Sequence, residues 1–77
     1  MMQALYEGLA EIFEIDINGI KPELSLNSLD IAWDSLAIIS TIALVDDGFN
    51  VMLSGRSLDN CKTVEDIENL IRKTEKN

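Results

Sequence analysis

Histidine is absent from this chain, cysteine and proline each occur once, and only six lysines and arginines stand against fourteen aspartates and glutamates. Each shortage excludes something. Without histidine the usual general base of small hydrolases is missing. One cysteine cannot form an internal disulfide, and together with the missing histidines it rules out a four-ligand zinc site of the common type. The net charge of −8 repels nucleic acid and anionic lipid. No run approaches the ~20 apolar residues of a membrane span. Met1-Met2 is followed by no basic region or apolar leader segment, so the chain is expected in the cytosol, which suits a lone reduced thiol.

What is present points to one compact helical domain. With 77 residues there is little surface to bury, and no staple is available, so stability must come from helix packing. The hydrophobic content of 47% argues against disorder. Acidity is uneven: residues 1–54 carry nine acids against Lys21 alone, and residues 55–77 carry five of each sign. Such a field either keeps a small protein soluble or steers it toward basic protein surfaces.

The spacing of Leu5, Leu9, Ile12 and Phe13 predicts a helix over about Met2–Glu14, with Glu7, Glu11 and Glu14 opposite the apolar stripe. Gly8 weakens it by about 1 kcal/mol relative to alanine, so this helix depends on tertiary packing. From Ile15 to Trp33 the periodicity lapses. Asn18-Gly19 signals a turn, Pro22 argues against a hairpin, and Leu24, Leu26, Leu29 and Ile31 are expected to pin this connection to the core. A second helix opens with Asp34 as N-cap and Ser35 as first helical residue, and Gly48 is the expected stop. Leu36, Ile39 and Ala43 fall on one side of it, with Ala37, Leu44, Ile38 and Val45 further round. A helix this apolar on every side leaves an exposed patch beside Ser35 in so small a domain. Arg56–Asn60 has room for one helical turn with Leu58 inward. Thr63 and Asp66 make a capping-box-like pair before Val64, Ile67, Leu70 and Ile71, and Arg72, Lys73 and Lys76 gather at that helix's end.

Few residues can carry chemistry. Cys61 has no evident activator and reads as a small buried hydrophobe. Asp46-Asp47 reads as a solvated helix end, and Asp16-Ile17-Asn18-Gly19 fails the calcium-loop pattern. Ser35 remains. Serine beside aspartate at a helix start is ordinary capping, but here a long connection delivers it to the most apolar helix. The free N–H groups of that helix end favour an anion such as a phosphodiester on Ser35.

Trp33-Asp34-Ser35-Leu36, the apolar helix behind it, Phe49 near that helix's end and Thr63-Val64-Glu65-Asp66-Ile67 together resemble the acyl carrier protein family over nearly the whole chain. The resemblance implies an all-α fold: a small four-helix bundle with a long first loop and a short third helix. It implies that Ser35, flanked by Asp34 and Leu36, receives 4′-phosphopantetheine from coenzyme A through a phosphopantetheinyl transferase. The arm's thiol then holds acyl groups as thioesters for acyl-transferring, acyl-activating or chain-elongating enzymes, and the chain itself is no enzyme. A pocket for the acyl tail is implied near Ile42, Leu53, Leu58 and Cys61. No nucleic-acid partner or membrane insertion is expected, and the carrier is expected to be monomeric.

The chain departs from the fatty-acid-synthesis pattern in three places. Ala32-Trp33 stands where glycine and a small residue are usual, Ala37 and Ser40 stand where acids follow the motif, and Arg56 lies in a helix that is typically acidic. The departures imply a specialised carrier in lipid, polyketide or acyl-modification chemistry, recognised through Trp33, Ala37 and Ile38 with Asp46 and Asp47 further along. Trp33 fits a core position equally well. An aminoacyl or peptidyl carrier, and an unmodified acidic adaptor for a basic surface, are the competing readings.

Overall fold

The computed structural model describes residues 2–75, and among them there are four α-helices and no strand: α1 (Met2–Phe13), α2 (Ser35–Phe49), α3 (Gly55–Asp59) and α4 (Val64–Glu75). The all-α bundle with a long first connection and a short third helix is the architecture the resemblance implies. Lys76 lies outside the described residues. Among those described, no helix is long and apolar enough to cross a membrane.

Helix α1 buries Leu5, Leu9, Ala10 and Phe13, the stripe its spacing predicts. It ends one residue early, because Glu14 turns into the left-handed region at φ 60°. Gly8 faces α2: a Cβ there would come within 2.6 Å of Leu44 Cδ2 and 3.0 Å of its Cγ. The helix propensity lost at Gly8 is exchanged for close approach of α1 to α2.

The connection between α1 and α2 is pinned as expected, but by backbone as much as by side chains. After a 3-10 turn at Ile17–Gly19 capped by Asp16, it runs beside the start of α4. Leu26 N–H donates to the Lys62 carbonyl at 2.8 Å, Val64 N–H to Leu24 at 3.1 Å and Glu65 N–H to Pro22 at 2.8 Å. Leu26, Ile31 and Ile20 are buried and Leu24 is half-buried. Leu29 departs from expectation: it is fully exposed and pins nothing.

Helix α2 turns Ala37, Thr41 and Val45 to the core. Thr41 is a polar residue in that stripe, and its hydroxyl is satisfied by donating to the Ala37 carbonyl at 2.8 Å. The side carrying Leu36, Ile39 and Ala43 is therefore the solvent side. Gly48 does not stop the helix. Asn50 does, in the left-handed conformation at φ 57° with its N–H donating to Asp46 at 3.0 Å; asparagine accepts that conformation at little cost.

Helix α3 is capped by Ser54, which accepts from Ser57 N–H at 3.1 Å, and it buries Leu58 completely. Helix α4 opens on a reciprocal box: Asp66 N–H donates to Thr63 Oγ1 at 3.2 Å, while Asp66 Oδ2 accepts from Thr63 N–H at 3.2 Å and Lys62 N–H at 2.9 Å. Val64, Ile67 and Ile71 are buried behind it.

One buried charge crosses the bundle. Glu68 of α4 is buried and accepts a hydrogen bond from the Tyr6 hydroxyl of α1, with Arg72 Nη2 at 4.0 Å from its other oxygen. The bond to Glu68, and then burial, push the Tyr6 phenol up to about 12 from its ordinary 10.0. Because the folded value lies above the unfolded one, this contribution to stability is complete below pH 10 and is lost as pH rises toward 12. Tyr6→Phe leaves the carboxylate short of a donor and is expected to cost about 1–3 kcal/mol by urea titration. A loss under about 0.5 kcal/mol would show that water replaces the phenol freely.

Candidate functional site

Asp34 sets the geometry of the site. Its backbone is extended and its carboxylate accepts from Ala37 N–H at 3.0 Å, while its carbonyl accepts from Ile38 N–H at 2.9 Å. That cap makes Ser35 the first helical residue. Trp33 anchors the segment just before it: the half-buried ring meets Phe13 of α1 edge-on, centroids 6.0 Å apart at 77°. The end of α1 and the start of α2 are thereby tied together. The Trp33 indole nitrogen is buried without an acceptor.

Ser35 is exposed at this helix mouth. Its own N–H and that of Leu36 have no intrahelical acceptor, so an anion on the Ser35 oxygen meets two free donors and the positive end of the dipole, worth about 0.3–1 kcal/mol. The other serines are engaged or less open. Ser25 and Ser28 accept from Asn27 N–H and Asp30 N–H, Ser54 caps α3 and donates to Ser57 at 2.9 Å, and Ser40 is half-buried along α2. Ser35 is thus the serine best placed for esterification.

Two clefts flank the start of α2. One, about 490 Å³, is lined by Ser35, Ile38, Ile39, Ile42, Gly55, Arg56 and Asp59, and so lies between α2 and α3. The other, about 450 Å³, lies toward the end of α1, with Leu36, Ala37 and Ser40 on one wall and Leu29 and Ile31 on another. Leu36 and Ile39 are 72% and 62% exposed, which places an apolar patch beside Ser35.

Several predicted site residues are placed otherwise. Ala37 is buried and offers nothing to a partner's surface, because it lies on the core stripe with Thr41 and Val45. Leu53 and Leu58 are buried in the core and do not line the cleft, whereas Ile42 does. Cys61 is half-buried outside the cleft, its thiol 3.5 Å from the Ser57 carbonyl. Ile38 is half-buried, and Asp46 and Asp47 are exposed toward the far end of α2. Leu36 and Arg56, both noted in the sequence, are exposed, and Ile39 is the exposed apolar residue beside them that the sequence did not single out as a site residue.

Burial, and then the nearby Asp66 charge, push the Cys61 thiol up to about 11 from its ordinary 9.0. At neutral pH its thiolate fraction falls by about a hundredfold, so it is a poor nucleophile. Iodoacetamide is expected to label the unloaded chain at least tenfold more slowly than a free thiol at pH 8. Equal rates would show Cys61 to be open and ionisable.

An exposed serine at a capped helix mouth, beside an apolar cleft and two unclaimed N–H donors, fits a phosphate-linked arm. No curated protein matches the chain. Residues 3–71, nearly the whole of it, match the family model described as the phosphopantetheine attachment site. Domains of this family carry covalent 4′-phosphopantetheine and are handled by a phosphopantetheinyl transferase and acyl-handling enzymes. The chain belongs to the phosphopantetheine-attachment family of carrier domains.

Proposed function

We propose that this chain is an acyl carrier protein that holds acyl intermediates as thioesters on an arm esterified to Ser35, and that it performs no catalysis itself. The observation that carries the reading is the Ser35 hydroxyl: exposed, first in a capped 15-residue helix and central in the matched segment. Bound there, the arm supplies a flexible thiol for thioester chemistry. The protein's own residues do the rest. Asp34 fixes the helix start, the free N–H groups of Ser35 and Leu36 favour the phosphodiester, and Trp33 against Phe13 holds this segment in place. Esterification joins the Ser35 oxygen to the phosphorus of the arm, breaks the pyrophosphate bond of coenzyme A with release of adenosine 3′,5′-bisphosphate, and passes the hydroxyl proton to a base. The Asp34 carboxylate next to Ser35 is engaged in capping Ala37 N–H, so we assign that base to the transferase.

Partner enzymes meet the monomeric carrier around Ser35. Leu36 and Ile39 supply apolar contact, Ile38 a flanking surface, and Asp46 and Asp47 a negative field further along α2. This pattern supports a specialised pathway with few partners rather than bulk fatty acid synthesis. The test is direct: incubation with coenzyme A and a broad-specificity phosphopantetheinyl transferase raises the mass of the intact chain by one phosphopantetheine. A mass unchanged with several transferases overturns the proposal and favours an unmodified acidic adaptor.

A further inference from the structure

Arg56 is the only basic residue between Lys21 and Lys62. It lines the same α2–α3 cleft as Ser35. The rest of that lining is the apolar wall of Ile38, Ile39 and Ile42, with Gly55 and Asp59. Among the described residues the guanidinium makes no hydrogen bond and no ion pair, although Asp59 lies three residues on in the same helix. A Cβ at Gly55 would only touch Ile38 Cγ2, at 3.9 Å, so this part of the lining is not crowded. A cation in so acidic a chain, lining the cleft of the attachment serine, has no partner among the described residues.

We propose that Arg56 is a positioning residue for the arm: its guanidinium pairs with the phosphodiester on Ser35 across the α2–α3 cleft and so holds the proximal arm along the Ile38–Ile39–Ile42 wall. The inference rests on Ser35 being the attachment residue. The chemistry suits the pair. A guanidinium presents a planar fork that matches two phosphate oxygens at once, which an ammonium cannot do. A phosphodiester keeps its single charge at every working pH, so the pairing has no pH switch. At the surface the contact is screened by salt, which makes it a guide that releases the arm readily to a partner enzyme.

The experiment uses the full chain as wild type, Arg56→Gln and Arg56→Lys, each treated with coenzyme A and a transferase and weighed. Arg56 is exposed, so both variants keep the fold. The chain has two arginines, Arg56 and Arg72, and the glutamine variant identifies the Arg56 Nε–Hε signal in a 15N-correlated spectrum. On loading, that signal moves in the wild type and returns toward its unloaded position at high salt. The 31P resonance of loaded Arg56→Gln differs from that of loaded wild type, with Arg56→Lys between them. Full mass gain with an unmoved Arg56 signal and superimposable 31P spectra overturns the role of Arg56 while leaving Ser35 intact. No mass gain in the wild type overturns both.

Discussion

Ser35→Ala is expected to take up no phosphopantetheine under conditions that load the wild-type chain completely, while remaining folded. The substitution removes only the hydroxyl of an exposed residue at the first helical position. The cap is Asp34, whose bond to Ala37 N–H does not involve Ser35. Surface changes of this kind move stability by within about 0.5 kcal/mol, so circular dichroism and the urea midpoint should match the wild type. Loss of loading with an intact fold then reads on chemistry alone. Residual loading at more than a few per cent would mean that a second hydroxyl serves, and Ser40 on the same helix would be the first to check.

Leu58→Ala is expected to produce the largest loss of stability among single truncations around the site. Leu58 is completely buried, yet it sits in a helix of only five residues, too short to persist without its anchor. Truncating a buried leucine costs about 2–5 kcal/mol. A domain of this size holds on the order of 4–12 kcal/mol in total, so between about a sixth and all of the stability is at stake. The urea midpoint should fall steeply with little change in slope. A loss below about 1 kcal/mol would mean that α3 is held by its backbone and Ser54 cap. Because α3 forms one wall of the cleft beside Ser35, this variant also tests whether loading needs that wall.

Much of this fold is legible in the sequence where the signals are local. The Thr63–Asp66 box and the stripe behind it specify α4 within a single stretch of chain, and Asp34-Ser35 marks the start of α2 by capping chemistry. The elements that escape a sequence reading are those decided by distant neighbours. Glu68 is a carboxylate on the buried Val64–Ile71 side of α4, and its donor, Tyr6, comes from 62 positions away. Gly8 looks like a flaw in α1 until Leu44 is seen against it. Gly48 and Asn50 compete to end α2, and the choice falls to the residue that reaches the left-handed turn. Thr41 takes a core position that apolar periodicity assigns to no polar residue.

The site divides in the same way. Ser35 and its cap are set by neighbours in sequence, so they were readable. Which apolar residues line a cleft and which fill the core depends on how far α3 rolls onto α2. Ile42 therefore faces the cleft while Leu53 and Leu58 are sealed away, and Ala37 lies beneath the helix whose exposed side carries Leu36 and Ile39.

Fragmentation of the loaded chain in a tandem mass spectrometer locates the new phosphodiester bond to a single side chain. The oxygen at the mouth of α2 predicts that every modified fragment retains the group on Ser35. Modified fragments that exclude Ser35 and carry the group on Ser25, Ser28, Ser40, Ser54 or Ser57 would contradict the account at its centre.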